Sequence, residues 1–302
     1  MTALAPSAPA STYDGVADAS AALVIDSFSS SFGLASRLLG AGVRGEVRNI
    51  YALVRVADEV VDVPVPPAGR ARQRASLDAL EAEVLDALEH GSSTNLVVHA
   101  FARTARRCGI GPDLVVPFFA SMRTDLDRSV HDEASLATYV YGSAEVVGLM
   151  CLRAFLADEP SRAHLYDDLA PGAQRLGAAF QLVNFVRDLA EDTGDLGRSY
   201  LPGLEPDGDA ALQDPARDRW LDAVDGHLVA AGQVVPHLPR SSRLAVCAAH
   251  DLFGELSARL REVPVTELRR RRVSVPRARK ARLVAAVVAR SGLPRPAVRV
   301  LS

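Results

Sequence analysis

Residues 176–202 combine an apolar helix pattern with a single line of polar side chains. The first half of this stretch is apolar almost all round, which is typical of a buried helix. Gln181, Asn184, Asp188 and Asp192 are spaced at i, i+3, i+7 and i+11, so they share one face of a helix with 3.6 residues per turn. Two buried carboxylates one turn apart repel each other. The sequence therefore predicts that this face takes up protons or binds a cation.

A second apolar helix pattern, over residues 43–62, repeats this arrangement. Tyr51, Arg55, Asp58 and Asp62 share one face, and their neighbours are apolar. Acidic pairs at this spacing are common on solvated helix faces, but these pairs differ because their surroundings are apolar. A protein core does not hold four uncompensated carboxylates. We therefore expect the two helices to face each other across a shared cation site.

The types of ligand in this predicted site indicate which cation it binds. Oxygen ligands without a nearby His or Cys favour hard cations, and Mg²⁺ in particular. Mg²⁺ commonly binds one or two carboxylates together with phosphate oxygens, which predicts a phosphate-bearing substrate with Arg55, Arg187 and Gln181 as donors. The rival interpretation, a di-iron helical bundle, uses Glu-x-x-His motifs. No His of this chain has a Glu three residues before it, so we set that rival aside.

The remaining sequence indicates an all-α fold. Helix patterns interrupted by Gly and Pro run from residues 16–26 to residues 278–290, with one short strand-like break at 273–276. The helix predicted over residues 135–156, with Ser135 as its N-cap, contains two glycines, which suggests close approach of another helix or a ligand. Residues 1–15 are rich in Ala, Pro and Ser and are predicted to be a disordered tail. Residues 16–302 are predicted to form a single domain, because no linker-like change of composition interrupts them.

Composition and charge exclude several classes of function. The 302 residues have a net charge of −3 and a pI near 6.2, so no nucleic-acid-binding footprint is present. The three cysteines are widely spaced, which is typical of reduced thiols in a cytoplasmic protein. The N-terminus lacks a signal-peptide pattern, and no uncharged apolar run reaches about 18 residues, so we expect no transmembrane helix. A cytoplasmic location is the expectation.

A basic run near the end of the sequence has two interpretations. It covers residues 269–272 and continues with Arg277, Arg279, Lys280 and Arg282. Such a run is usually a solvated face. The alternative is peripheral attraction to a membrane with anionic lipids.

The chain resembles the squalene/phytoene synthase family, the head-to-head class of isoprenyl diphosphate synthases. The resemblance runs in order from about residue 20 to residue 290, and within the family the chain is most similar to the bacterial phytoene synthases. Five segments carry it: SSSFGLASRLL (29–39), IYALVRVADEVVD (50–62), SMRTDLD (121–127), YGSAEVVGLM (141–150) and AFQLVNFVRDLAEDTGDLGRSYLP (179–202).

This resemblance implies a fold and a set of site residues. The fold is the all-α isoprenoid synthase fold, a single domain with two Asp-rich motifs that face each other across a central cavity. Asp58 and Asp62 match the first motif and Asp188 and Asp192 the second, and Asn184 matches a further metal ligand. The four aspartates, with Arg55, are the implied catalytic residues. The implied contacts with substrate diphosphate are Ser29, Ser31, Tyr51, Arg55, Gln181 and Arg187.

The sequence departs from the family pattern at four positions. Phe28 and Ser30 replace a pair that is commonly polar or basic, and Glu145 stands where many members have Gly. Glu59 replaces a frequent Asp, and we expect little effect because this position points away from the polar face.

The implied activity is that of a prenyltransferase. Two geranylgeranyl diphosphates are joined head to head, through a cyclopropylcarbinyl (prephytoene) diphosphate, to phytoene, and diphosphate is released. The implied cofactor is Mg²⁺, with Mn²⁺ as an alternative, and NADPH is not expected. The open alternatives are a squalene- or presqualene-type synthase acting on farnesyl diphosphate, and a terpene cyclase or other prenyltransferase on the same fold. A non-catalytic helical binding protein is the rival of a different class, and both a monomer and a dimer remain open.

Overall fold

The computed structural model describes residues 11–28, 31–194 and 196–291, and these residues form α-helices joined by short turns, without a β-strand among them. The all-α prediction is confirmed. In chain order the helices are α1 (Thr12–Phe28), α2 (Ser31–Ser36), α3 (Ala41–Asp62), α4 (Arg70–His90), α5 (Leu96–Cys108), α6 (Pro112–Asp127), α7 (Glu133–Val140), α8 (Val146–Phe155), α9 (Arg162–Arg187), α10 (Leu189–Gly194), α11 (Ala210–Val234), α12 (Arg240–Arg261), α13 (Val265–Leu268) and α14 (Arg277–Ser291).

The first helix begins earlier than the sequence pattern predicted. It starts at Thr12, so residues 12–15 of the predicted disordered tail are helical, whereas residues 1–10 lie outside the described residues. The reason is a local capping arrangement, in which the backbone N–H of Ser11 donates to Asp14 (2.8 Å) and the N–H of Asp14 donates to the Ser11 hydroxyl (3.1 Å). The Asp14 carboxylate also contacts Nε2 of His99 at 2.8 Å, which fastens α1 to α5.

Two further local predictions are corrected. The N-cap of α7 is Asp132 rather than Ser135, because the Asp132 carboxylate accepts from the backbone N–H of Ser135 and the Ser135 hydroxyl accepts from that of Asp132. Residues 273–276 form no strand, and Val273 and Val275 instead pack into the apolar core.

Glycine allows α8 and α9 to pack with their backbones almost in contact. A Cβ atom added to Gly177 would lie 2.5 Å from the Ala144 carbonyl oxygen, and one added to Gly148 would lie 2.6 Å from that of Ala173. The predicted close approach at the glycines of residues 135–156 is therefore contact with another helix. Gly142, the other glycine of that stretch, lies against α6 in the same way.

The segment Glu133–Phe155 consists of α7, a π-helical turn (Tyr141–Glu145) and α8. By length and composition alone it is apolar enough to cross a membrane. In the structure it packs against α3, α6 and α9, which is the position of a core helix.

Candidate active site

An apolar cavity of about 300 Å³ lies between α3, α8, α9, α11 and α12. Along α9 it extends from Asn184 to Leu169, about 22 Å at 1.5 Å per residue. Its walls are almost entirely aliphatic and aromatic, and Phe180 and Phe253 stack on each other there with ring centroids 3.8 Å apart. The polar side chains of its lining include Tyr51 of α3 and Gln181 and Asn184 of α9, which mark its polar end. The cavity is therefore suited to a long apolar group that carries a polar head.

The aspartate pairs of both predicted motifs lie just beyond this end, two turns after Tyr51 on α3 and one turn after Asn184 on α9. Asp58 and Asp62 occupy the last turn of α3. The second pair lies where α9 ends and α10 begins, and Asp188 is the residue at the junction, with φ −99° and ψ 15°. The helical hydrogen bonds of the backbone continue through this junction, because the N–H of Asp192 donates to the Asp188 carbonyl at 2.9 Å. The polar face predicted for Gln181, Asn184, Asp188 and Asp192 therefore continues from α9 into α10, with a bend at Asp188.

The two pairs are close enough for their charges to interact. Burial, together with the charge of Asp62, raises the pKa of Asp58 to about 8. Burial and then Asp188 raise the pKa of Asp192 to about 8, and the charge of Asp62 contributes in the same direction. This end of the cavity therefore favours bound protons or a cation, as the sequence predicts.

Asp188 differs from Asp192 because arginines surround it. Nε of Arg187 and Nε of Arg272 each lie 2.8 Å from Oδ1 of Asp188. Arg272 belongs to the basic run near the end of the sequence and was not predicted to reach this site. Its guanidinium is 57% exposed, so the positive charge lies on the solvent side of Asp188.

Arg198 joins the first aspartate motif to the segment that follows the second. It is 7% exposed, and its guanidinium donates to Oδ1 of Asp62 at 2.9 Å and to the Val61 carbonyl at 2.7 Å. This arginine lies within the family segment 179–202, but the sequence alone predicts no role for it. The sequence does contain a signal for such a role, because Arg198 is a single basic residue that closely follows the predicted carboxylates and precedes apolar residues.

A further carboxylate, that of Asp125 in α6, is close enough to Arg198 for their charges to interact. The hydroxyls of Tyr139 and Tyr200 each donate to it at 2.7 Å. Burial is the main cause that raises the pKa of Asp125 to about 6. Asp125 and both tyrosines were absent from the predicted site. They hold α6 and α7 against the Arg198 segment rather than facing the apolar cavity.

The predicted contacts with diphosphate fall into two groups. Tyr51 and Gln181 line the polar end of the cavity, as does the predicted metal ligand Asn184. The guanidinium of Arg55 pairs with Glu59, and its central carbon lies 4.6 Å from the ring centroid of Phe28. Glu59 therefore contacts a predicted site arginine, and the expectation that Glu in place of Asp has little effect stays a prediction. Ser29 lies outside the described residues, and Ser31 is the first residue of α2 with a side chain that the structure does not describe.

The residues present fit Mg²⁺ that is shared with a substrate. Within the described part of the chain, no three His, Cys, Asp or Glu side chains are grouped closely enough to hold an ion by themselves. The carboxylates come as two facing pairs, which leaves coordination positions for water and phosphate oxygens, as Mg²⁺ requires. Oδ1 of Asn184 is buried at this end and has no hydrogen-bond partner among the described residues, so it is available as an additional oxygen ligand.

Comparison with known proteins agrees with this geometry. The family model for squalene/phytoene synthase matches residues 25–279. A 15-cis-phytoene synthase from Paracoccus sp. is 30% identical over 286 residues, which cover 88% of this chain and 90% of that protein. A phytoene synthase from Mycobacterium tuberculosis is 28% identical over 275 residues, 84% of this chain and 85% of that protein.

Solved structures show the same fold. A dehydrosqualene synthase in complex with a ligand superimposes with a TM-score of 0.74 at 22% identity, covering 92% of this chain and 97% of that one. A squalene synthase from Alicyclobacillus acidocaldarius superimposes with a TM-score of 0.70 at 18% identity, covering 84% and 96%. The chain belongs to the squalene/phytoene synthase family, and it is a prenyltransferase.

Proposed function

We propose that this protein is a phytoene synthase, which joins two geranylgeranyl diphosphates head to head and releases diphosphate. The observation that carries the proposal is the apolar cavity that leads away from the two facing aspartate pairs. The cavity suits the prenyl chain, and the polar end suits the diphosphate. The choice of a twenty-carbon substrate is supported by relatives at 27–30% identity that are named phytoene synthases.

The proposed metal ligands are Asp58, Asp62, Asn184, Asp188 and Asp192. When bound there, Mg²⁺ would neutralise charge on the departing diphosphate, with Mn²⁺ as an alternative. Two of these carboxylates have pKa values raised to about 8, so binding of a dication would replace protons that they otherwise carry near neutral pH.

The proposed reaction has two parts, both of which need protection from water. First the C–O bond of one allylic diphosphate breaks, and the double bond of the second substrate captures the allylic cation; loss of a proton closes the cyclopropane ring. Then the C–O bond of this cyclopropylcarbinyl diphosphate breaks, the carbon skeleton rearranges, and loss of a proton gives the triene. The chain's apolar walls exclude water from both cations.

The polar side chains of the site hold and orient the diphosphates in this proposal. The donors are Arg55, Arg187, Tyr51, Gln181, Ser29 and Ser31. Arg55 is held in place by Glu59, and Arg187 lies directly beside Asp188. Preorganised cations of this kind stabilise the leaving group without reorganising during the reaction.

Product analysis tests the proposal. Purified protein is incubated with Mg²⁺ and either farnesyl or geranylgeranyl diphosphate, with and without NADPH, and the products are identified by mass. We expect a C40 triene from geranylgeranyl diphosphate without an NADPH requirement. Products of thirty carbons only would support a squalene- or presqualene-type synthase instead, and a cyclised product would indicate a terpene cyclase.

Two substitutions test the roles of the aspartates. Asp58→Asn and Asp188→Asn should each abolish Mg²⁺-dependent diphosphate release, while helical content is retained in circular dichroism. Asp86→Asn is the control, because Asp86 is an exposed carboxylate on α4 that is remote from the cavity. Full turnover in either site variant would contradict the mechanism. Absence of turnover in the wild type would instead favour a non-catalytic binding protein.

A further inference from the structure

The charges of this chain are distributed very unevenly along the sequence. Eleven of its 34 Lys and Arg residues and none of its 37 Asp and Glu residues lie after Glu267. The net charge of the whole chain is −3, so the preceding part is strongly acidic. A charge asymmetry of this size indicates a partner with negative charge at the basic end.

Several of these basic residues have partners within the protein. Arg269 donates to the carbonyls of Leu204 and Glu205 at 2.7 and 2.9 Å. Arg271, Arg272, Arg279 and Arg290 pair with Glu267, Asp188, Glu255 and Asp251, respectively. The charge of these arginines is therefore compensated inside the protein.

Three arginines of the same region are uncompensated. Arg270, Arg277 and Arg282 are exposed, and their guanidinium groups have no ion pair or hydrogen bond with any residue in the described ranges. Arg270 follows α13, Arg277 is the first residue of α14, and Arg282 lies one turn further along α14. These three side chains form the cationic patch.

The outer face of α14 is apolar rather than acidic. The helix packs on α12 through Val284 and Val287. Its exposed positions include Val288, which is 47% exposed, and five alanines, at positions 278, 281, 285, 286 and 289, with Arg282 among them. A helix that presents arginine beside small apolar side chains, without a carboxylate, is typical of a segment that lies in a membrane interface.

This surface adjoins the candidate active site. The buried face of α14 belongs to the same apolar cluster as Ala35, Ala249 and Phe180, all of which line the cavity. Arg272, between the patch and the cavity, contacts Asp188 at the polar end. A surface that bound to α14 would therefore lie next to the cavity.

We propose that Arg270, Arg277 and Arg282, with the exposed face of α14, bind the surface of a membrane that contains anionic lipids. A lipid surface matches the patch better than a nucleic acid does, because apolar side chains lie among the arginines and nothing in the patch is arranged to stack on bases. Each arginine near such a surface contributes roughly a fivefold increase in partitioning, so the three together contribute about 100-fold.

Vesicle sedimentation tests this proposal without any substrate, so its outcome does not depend on the proposed reaction. The full chain is mixed with vesicles of phosphatidylcholine alone or with added phosphatidylglycerol. We expect binding to the anionic vesicles at low salt, loss of binding near 1 M salt where the screening length falls to about 3 Å, and no binding to neutral vesicles. Equal binding to both kinds of vesicle would refute the role of the arginines.

A triple variant provides the matched comparison. Arg270→Gln, Arg277→Gln and Arg282→Gln in one chain should lower partitioning to anionic vesicles about 100-fold and leave turnover of soluble substrate unchanged. The control triple variant has the same change in net charge at Arg72→Gln, Arg162→Gln and Arg240→Gln, three exposed arginines outside this surface. Equal loss in both variants would show that net charge alone is responsible and would overturn the proposal. Binding of the wild type to duplex DNA but not to vesicles would do so as well.

Discussion

Replacing Asp58 by Asn measures how much the carboxylate of Asp58, in the last turn of α3, lowers the free energy of unfolding. Burial and the charge of Asp62 raise the pKa of Asp58 from 3.8 to about 8 in the folded protein. Each unit of difference between folded and unfolded pKa corresponds to about 1.4 kcal/mol. The raised pKa means that protonation of Asp58 stabilises the folded state. This contribution to the free energy of unfolding is fully present below pH 3.8 and is lost as the pH rises toward 8.

At pH 7 this loss amounts to about 4 kcal/mol of the free energy of unfolding. Asn has no ionisable proton, so Asp58→Asn avoids the loss. Solvent and structural relaxation around a buried carboxylate relieve part of this loss, so we expect the variant to be more stable by about 2–4 kcal/mol. The same substitution abolishes turnover in the proposed mechanism, so the variant would gain stability and lose activity.

Urea denaturation in EDTA at several pH values between 5 and 8 checks this prediction. The stability difference between Asp58→Asn and the wild type should grow by up to about 1.4 kcal/mol per pH unit and level off above pH 8. Asp86→Asn, on the exposed surface of α4, is the control and should show no comparable growth. A difference that stays constant with pH, or a variant that is less stable than the wild type at pH 8, would refute the reasoning.

Three further predictions concern packing and the cavity. Arg198→Met should lower the free energy of unfolding by about 2 kcal/mol in urea denaturation, less than for a fully buried pair, because the Asp62 side chain is 38% exposed. Gly177→Ala should destabilise the protein by about 1–3 kcal/mol through its clash with the backbone of the π-helical turn before α8. Gly45→Ala, with open space around it, should stabilise α3 by about 0.5–1 kcal/mol; calorimetry distinguishes the two variants, and equal effects would contradict the packing argument. Ala173→Phe should fill the far part of the cavity and shift kcat/KM at least tenfold from geranylgeranyl toward farnesyl diphosphate, and an unchanged ratio would show that the prenyl chain does not reach this depth.

Local patterns in the sequence were sufficient to predict the helices and the polar faces of the site. The apolar period identified α3 and α9, and the spacing of Asp58 and Asp62 placed both carboxylates on one face. The S-x-x-D pattern at Ser11 and Asp14 is also local, and it would have predicted the earlier start of α1.

Contacts between distant parts of the chain could not be predicted in this way. Arg198 pairs with Asp62 across 136 residues, and Arg272 reaches Asp188 across 84. One sequence shows which side chains are charged, but the pairing depends on how α3, α9 and the segment before α14 pack together. The sequence therefore predicted Arg187 beside Asp188 but missed Arg198 and Arg272, which bind Asp62 and Asp188.

The bend at Asp188 separates the two carboxylates of the second motif into different surroundings. Asp188 lies against two arginines on the solvent side, and Asp192 lies against the carboxylates of its own motif and of Asp62 on the buried side. At the polar end of the cavity the electric field thus points from the arginines on the solvent side to the carboxylates on the buried side. A dication bound to a diphosphate is itself a dipole. If both groups bind as proposed, Asp192 and Asp62 would attract the dication, and Arg187 and Arg272 would attract the free phosphate oxygens.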